Sequence, residues 1–233
     1  GPAAEALLEA TGADRTIFAP AFPEYTVTVF QGRLFVGPHL LSESFKQFDP
    51  VTPMTNANLV EVLKPQMTEA VGLIPHSVLH RGLDAAREAV DAQVARGTRC
   101  FVIDSVDDDD VTRVAELVSD WTVTTGGDAL PGFLARQWLP ADHPPGDRTT
   151  LPAAPGHEAV IAGSCAPPTL KQLEYFEARH PVLRIDLAAV TDEAALLDDI
   201  RRWAASHVEQ GPVAISTSAG VEGVKRVQDA LGK

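Results

Sequence analysis

The 233-residue sequence lacks the features of a secreted, membrane-spanning or nucleic-acid-binding protein. Its two cysteines, Cys100 and Cys165, are far apart and share no metal-ligand spacing, so we expect reduced thiols rather than a disulfide framework. The 19 basic residues are outnumbered by 32 acidic ones, and the net charge of −13 argues against nucleic acid or an anionic membrane as the main partner. No signal peptide or apolar run of transmembrane length is visible, which predicts a cytoplasmic protein.

The apolar residues are arranged in alternating short strands and amphipathic helices. This alternation predicts an α/β fold with two doubly wound, mostly parallel-sheet lobes. In the first lobe, Gln31-Gly32 predicts a hairpin turn and Thr55 predicts a helix N-cap. The segments predicted there are helix 3–10, strand 15–19, strands 26–30 and 33–36, helix 55–65, strand 71–74, helix 83–95, strand 100–103 and helix 111–118.

The stretch around residues 141–156 is rich in proline and glycine and has no periodicity, so we predict a linker there. The predicted domains are residues 1–140 and 157–233. The second domain contains three strand–helix units, which are strand 159–162, helix 169–178, strand 182–185, helix 193–208, strand 213–216 and helix 221–231. Such a domain usually has more strands, so we expect both lobes to be incomplete.

Two loops of the second domain have the composition of phosphate-binding loops. Gly163, Ser164 and Cys165 follow a strand and precede a helix, where free N–H groups, the helix dipole and a hydroxyl favour an anion. The segment 216–220 ends another strand with hydroxyl-bearing and small residues. An ordinary strand–helix turn explains either loop equally simply.

The first domain contains candidate residues at predicted strand ends. Asp104 directly follows a buried strand, and the carboxyl ends of parallel strands are where such folds bind ligands. Gly126 and Gly127 permit close approach of a ligand to the backbone, and Asp128 after them is explained equally well as a helix cap. The acidic run 107–110 can attract magnesium, although acidic residues also suit the first turn of a helix.

Two histidines, His76 and His80, have a spacing that is compatible with metal binding on a helix. The sequence offers no third ligand or adjacent glutamate beside them. We therefore predict no protein-bound metal site.

Several segments, taken in order, resemble the four-carbon acid sugar kinase family. They are Gly1-Pro2 and segments 19–24, 32–37, 52–60, 71–74, 103–104, 126–127 and 163–165. The resemblance implies an N-terminal domain that binds an acidic sugar, a C-terminal domain that binds ATP with Mg²⁺, and transfer of the γ-phosphoryl group to the terminal hydroxyl of the sugar. It implies nucleotide contacts for Gly163, Ser164 and Cys165. It also implies a position on the sugar side, or at the cleft, for Glu24, Asp104, Gly126 and Gly127. It assigns no catalytic residue.

The sequence departs from the family pattern at both ends, where an Asp-Asp-Leu-Thr-Gly-like segment and later glycine-rich loops are missing. The family's Gly-Ser-Cys-Ser reads Gly-Ser-Cys-Ala, because residue 166 is alanine. We therefore expect a truncated chain whose own kinase activity is feeble. The alternative is an inactive module that binds a small acid or a nucleotide. Exposed sheet edges in incomplete lobes would also favour a homo-oligomer.

Overall fold

The computed structural model describes residues 1–49, 51–140, 142–143, 146, 152 and 154–231. They fall into two units, the first made of Gly1–Gln47 and Met54–Gly146, the second of Phe48–Pro53 and Asp147–Lys233. The predicted linker at 141–156 lies largely outside the described residues. Each unit contains a parallel sheet, which confirms the predicted α/β class. Among the described residues, no helix combines the length and the apolar character needed to cross a membrane.

The first unit is built on a four-stranded parallel sheet with strand order β5-β6-β1-β7 and a separate antiparallel sheet of order β2-β3-β4. Its strands are β1 Thr16–Ala19, β2 Val27–Phe30, β3 Arg33–Val36, β4 His39–Leu40, β5 Ala70–Ile74, β6 Thr98–Ile103 and β7 Thr125–Gly126. Its helices are α1 Pro2–Thr11, α2 Leu59–Leu63, α3 His76–Leu79, α4 Leu83–Val94, α5 Asp108–Val118 and α6 Ala129–Trp138. Short 3₁₀ turns occupy Pro23–Tyr25, Leu41–Glu43, Phe45–Phe48 and Lys64–Gln66.

Strand β6 shows how the parallel sheet is buried on both faces. Successive side chains of a strand point to opposite faces. Phe101 and Ile103 pack into a core that includes residues of α4, α5 and α6. Val102 packs instead against the antiparallel sheet, and Cys100 against a residue of α1. All four side chains are fully buried, as expected for a strand covered on both sides.

The hairpin predicted at Gln31-Gly32 is confirmed. Strands β2 and β3 pair antiparallel, with Phe30 opposite Arg33, so the turn contains two residues. Gln31 and Gly32 both have positive φ, 52° and 69°, as the type I′ turn that matches strand twist requires. The position of the turn was therefore predictable from the local sequence.

The helix predicted to begin at Thr55 begins four residues later, so the Thr55 cap was wrong. Asn58 is the N-cap of α2, and its Oδ1 accepts hydrogen bonds from the N–H groups of Val60 and Glu61. Asn58 also forms an isolated antiparallel bridge with Arg33. Because Asn58 pairs with the hairpin, the backbone before it stays extended and the helix begins after Asn58 rather than after Thr55.

The second unit contains a three-stranded parallel sheet with strand order β8-β10-β9. Its elements are β8 Ala159–Ala162, α7 Pro167–Glu177, β9 Val182–Arg184, α8 Glu193–His207, β10 Val213–Ser216 and α9 Val221–Leu231, with 3₁₀ turns at Leu187–Ala189 and Val208–Gln210. The central strand β10 is largely buried, whereas Ile161 on the edge strand β8 is 85% exposed. An exposed apolar strand of this kind is a surface on which a further polypeptide can pack.

Candidate functional site

The carboxyl edge of the first unit's parallel sheet is organised by Asp104, which directly follows β6. Its side chain is fully buried. Its carboxylate accepts hydrogen bonds from the backbone N–H groups of Gln31 at 2.8 Å, Gly32 at 2.9 Å and His76 at 2.9 Å. Asp104 thus joins the hairpin turn to the start of α3. A direct contact of this carboxylate with a sugar acid stays a prediction, while its role in positioning the loops is visible.

A cavity of about 280 Å³ lies beside the ends of β1 and β7 and includes the predicted residues Gly126 and Gly127. Its other lining residues are Phe18, Ala19, Pro20, Leu59, Val62, Leu63 and Thr125. A side chain at Gly127 would place its Cβ only 2.9 Å from the carbonyl oxygen of Pro20. Glycine is therefore required for packing, and the cavity presents mainly apolar side chains and backbone groups.

Two acidic residues predicted near this edge lie at the surface. Glu24 is exposed on the 3₁₀ turn Pro23–Tyr25, and its side chain makes no hydrogen bond or ion pair within the described part of the chain. Asp128 occupies the N-cap position of α6, but its side chain makes no capping hydrogen bond. Asp128 is thus at the predicted cap position without acting as a side-chain cap. Both carboxylates are accessible to solvent and to ligands.

The two histidines are accompanied by a third potential ligand, Asp110, which the sequence analysis did not single out. His80 Nε2 lies 2.9 Å from Asp110 Oδ1, and His76 Nε2 lies 3.4 Å from Asp110 Oδ2. Asp110 is fully buried, and its carboxylate also accepts hydrogen bonds from Arg113 and from the N–H of Val106. In the sequence, Asp110 is the last residue of an acidic run that is explained by the first turn of α5. Within that run, it is the side chain of Asp107 that caps the helix.

In the second unit, the loop of Gly163, Ser164 and Cys165 connects the carboxyl end of β8 to α7. The backbone N–H groups of these three residues make no hydrogen bond to another described residue. Pro167 and Pro168 open the helix, and proline has no N–H to donate. Any anion at this helix terminus must therefore be bound mainly by the loop amides and by the exposed Ser164.

The loop after β10 lies directly beside it. The N–H of Thr217 donates to Ala162 at 3.0 Å, and the N–H of Ala219 lies 3.5 Å from Cys165 Sγ. The hydroxyl of Ser218 is buried and has no hydrogen-bond partner within the described residues. The two loops that sequence analysis considered separately therefore form one surface, here called the twin-loop surface and defined as residues 163–166 and 217–220.

A cavity of about 870 Å³ extends from the twin-loop surface along the first turns of α9. Its lining includes Ala219 and Gly220 from the loop and the cations Lys225 and Arg226 from the helix. Arg226 also lies 3.7 Å from Asp186, which follows β9. Lys225 and Arg226 were not predicted as site residues, and their signal in the sequence is a position in the second turn of a helix that follows a small-residue loop.

Comparison with family models identifies both units. A model of a sugar-binding N-terminal domain matches residues 1–132, and a model of a nucleotide-binding C-terminal domain matches residues 159–233. The two models match in the order predicted from the sequence resemblance.

Two curated relatives of this chain carry the same activity name. A 3-oxo-tetronate kinase of Cupriavidus necator is 39% identical over 235 residues, covering 100% of this chain and 54% of the relative. A 3-oxo-tetronate kinase of Pseudomonas fluorescens is 37% identical over 234 residues, again covering 100% of this chain and 54% of the relative. The chain thus spans about half the length of the curated relatives that it matches.

Two proteins of similar fold with known crystal structures are also about twice as long as this chain. A Salmonella typhimurium protein named as a proposed tRNA synthase matches with a TM-score of 0.69 and 29% identity, covering 100% of this chain and 55% of that protein. A Haemophilus influenzae protein matches with a TM-score of 0.60 and 30% identity, covering 100% of this chain and 56% of that protein.

Proposed function

This chain belongs to the four-carbon acid sugar kinase family, and we propose that it serves ATP-dependent phosphorylation of the terminal hydroxyl of a four-carbon acid sugar such as 3-oxo-tetronate. In this proposal the first unit binds the sugar acid and the second unit binds the nucleotide. The observation that carries it is the twin-loop surface, whose free amides and unpaired Ser218 hydroxyl match the needs of a phosphate.

The nucleotide half of the proposal rests on hydrogen-bond donors. Phosphate oxygens require several hydrogen-bond donors, and free loop amides at the ends of parallel strands supply them without side-chain ordering. Lys225 and Arg226 line the adjoining cavity together with Glu222 and Asp229, so the two cations are balanced by two carboxylates. The cations can each pair with a phosphate oxygen, but the summed charge of the lining adds no attraction for a triphosphate.

Kinases bind ATP together with Mg²⁺, which bridges the phosphates and neutralises charge that develops during transfer. The donor set of the second unit fits such a complex, because magnesium accepts oxygen ligands and keeps several waters. The hydroxyls of Ser164 and Ser218 would hold the metal–nucleotide complex as oxygen ligands or as donors to phosphate. The hydroxyl of Ser218 supports this arrangement, because it is buried and has no hydrogen-bond partner among the described residues, so a bound phosphate or metal would supply one.

The sugar half of the proposal rests on the cavity next to Gly127 and on the polar groups of the same sheet edge. A volume of about 280 Å³ suits a very small ligand, near the lower end of the range of about 300–1,000 Å³ for ligand pockets. The exposed carboxylate of Glu24 would accept hydrogen bonds from sugar hydroxyls. Asp104 would act indirectly, by holding the hairpin turn in place.

Binding without transfer is a second candidate function, and one observation favours it. Phosphoryl transfer to a hydroxyl generally uses a residue that accepts the hydroxyl proton. Among the residues that the structure describes, neither a carboxylate nor a histidine lines the cavity beside Gly127. A chain with these lining residues can hold a small ligand while supplying no base to it.

Calorimetric titration with MgATP tests the nucleotide half. We expect saturable binding by the 233-residue chain and about tenfold weaker binding by Ser164→Ala, because a hydrogen bond to a charged phosphate is lost. Ser206→Ala, in which the lost hydroxyl bonds only within α8, is the matched control and should bind like wild type. Equal affinities of wild type and Ser164→Ala would remove Ser164 from the proposed site.

Transfer is measured separately, by ADP release with 3-oxo-tetronate, erythronate or threonate as acceptor. Acceptor-dependent ADP release supports kinase activity of this chain. Nucleotide and acid binding without ADP release supports the second candidate. Absence of both nucleotide binding and ADP release would contradict the proposed function altogether.

A further inference from the structure

We propose that His76, His80 and Asp110 form a binding site for a divalent transition metal, with Zn²⁺ as the ion that fits best. The three side chains come from the first residue of α3, from its C-cap residue and from α5. One ligand atom from each lies within 4.8 Å of the others. This site is separate from the phosphate-binding role proposed for the second unit and does not depend on it.

The spacing of the ligand atoms fits a tetrahedral ion. Zinc lies about 2.0–2.1 Å from histidine nitrogen and about 2.0–2.2 Å from carboxylate oxygen, so neighbouring ligand atoms are about 3.3 Å apart. The two nitrogen-to-oxygen distances here are 2.9 Å and 3.4 Å. The 2.9 Å distance ends on Oδ1 of Asp110 and the 3.4 Å distance on Oδ2, so coordination through one oxygen also requires a small shift of one imidazole.

Simple hydrogen bonding does not explain both histidines. His80 Nε2 is at an ordinary hydrogen-bond distance from Asp110, but the His76 contact of 3.4 Å is long for such a bond. The two rings also face each other, with centroids 3.9 Å apart and planes tilted by 32°. When a metal displaces the Nε2 protons, the two imidazole lone pairs and an oxygen of the buried carboxylate are available to one ion.

The surroundings of Asp110 orient it as a ligand. Arg113 donates to Oδ1 at 3.1 Å, and the N–H of Val106 donates to Oδ2 at 2.9 Å. A carboxylate has about four lone-pair positions, so these two bonds leave room for a metal. Partners of this kind fix a ligand's orientation in metal sites. Two imidazoles and one carboxylate favour Zn²⁺ over Mg²⁺, because imidazole suits zinc and magnesium prefers oxygen ligands.

The site is reachable and can keep an open coordination position. Asp110 is fully buried, but the side chains of His76 and His80 are 24% and 43% exposed. An ion can therefore enter from the histidine side. With three protein ligands, the fourth position faces solvent and is available to water or to an oxygen of an anionic ligand.

The test is a calorimetric titration of the chelator-treated 233-residue chain with Zn²⁺ alone. We expect one ion per chain and affinity lowered at least about tenfold in His76→Gln and in His80→Gln. His39→Gln, which removes an exposed histidine from β4 of the same unit, is the control and should not change the affinity. Circular dichroism checks that each variant is folded.

Two further readouts separate coordination from loose surface binding. Co²⁺ in place of Zn²⁺ should give the visible absorption of a four- or five-coordinate ion in wild type and lose it in His80→Gln. Zn²⁺ should also raise the thermal unfolding midpoint of wild type but not of the His76→Gln/His80→Gln double variant. Asp110→Asn is less informative, because that carboxylate also holds Val106 and Arg113 in place.

The proposal is overturned by either of two results. One is the absence of stoichiometric Zn²⁺ binding by wild type, which would leave the cluster as hydrogen-bonded histidines beside a buried carboxylate. The other is a double variant that binds Zn²⁺ within twofold of wild type, which would locate the ion elsewhere on the chain.

Discussion

The carboxylate of Asp104 accepts a hydrogen bond of 2.9 Å from the backbone N–H of His76, the first residue of α3. The same carboxylate holds both residues of the Gln31-Gly32 turn. One buried side chain therefore connects a hairpin turn, the end of β6 and the helix that carries two histidines. Its removal should disturb all three segments together.

Asp104→Asn should lower the free energy of unfolding of the first unit by roughly 1–3 kcal/mol or more. The substitution replaces one acceptor oxygen by an NH₂ group, so at least one buried backbone N–H loses its partner. Urea unfolding followed by tryptophan fluorescence measures the change. Asp128→Asn is the control, because Asp128 is exposed and makes no capping bond, and it should change stability by less than about 0.5 kcal/mol.

Two glycine-to-alanine substitutions should have opposite effects. At Gly127 the new Cβ would lie 2.9 Å from the backbone oxygen of Pro20, so the strand ends must separate and stability should fall. At Gly132, inside α6, no atom lies within 4 Å of the new Cβ, so alanine should stabilise the helix by about 0.5–1 kcal/mol. Thermal unfolding of both variants checks the pair. Equal midpoints for the two variants would contradict the packing argument.

Thiol labelling should distinguish the two cysteines. Burial raises the pKa of the Cys100 thiol to about 11, so roughly one such thiol in a thousand is ionised at pH 8. Cys100 is also fully buried, whereas Cys165 is only half-buried in the twin-loop surface. We expect one fast-reacting thiol with a disulfide reagent in the native chain, lost in Cys165→Ser and retained in Cys100→Ser.

MgATP should slow the labelling of Cys165, because the proposed nucleotide site includes this residue. Labelling of Cys100 after unfolding in urea provides the internal reference for reagent activity. A labelling rate of Cys165 that is unchanged by saturating MgATP would separate the nucleotide site from the twin-loop surface.

Glu5 should contribute stability that depends on pH. Hydrogen bonds from the N–H of Glu69 and from Thr68 lower the pKa of Glu5 below its ordinary value of 4.5 and fasten α1 to the segment before β5. A lowered folded-state pKa means that the contribution is complete above pH 4.5 and is lost as the pH falls through the folded value. Glu5→Gln should therefore lower the urea midpoint at pH 7, and the difference from wild type should vanish in acid.

Glu9→Gln is the matched control for this pH series. Glu9 is exposed on the same helix, and within the described residues its side chain makes no hydrogen bond. The urea midpoint of Glu9→Gln should therefore equal that of wild type at every pH. A pH-independent difference for Glu5→Gln would mean that the substitution acts through packing rather than through ionisation.

Local sequence was sufficient for much of the fold and for part of the candidate site. Strands β8 and β10 have the predicted limits, and the turn lies at Gln31-Gly32, where glycine predicted it. The start of α2 was predicted wrongly, because Asn58 and Thr55 are both good caps and the choice between them depends on pairing of Asn58 with Arg33.

The sequence by itself determined the α/β class and the small-residue loops at strand ends, since strand and helix periods and turn residues act over short distances. The order of the two units was predicted from the resemblance to a family. Only tertiary structure decided which distant groups meet. Asp104 finds its partners up to 73 residues away, and Asp110 approaches His80 across 30 residues. Parallel strands bring their carboxyl ends to one edge, whatever their separation along the chain, and no local pattern specifies which side chains face each other there.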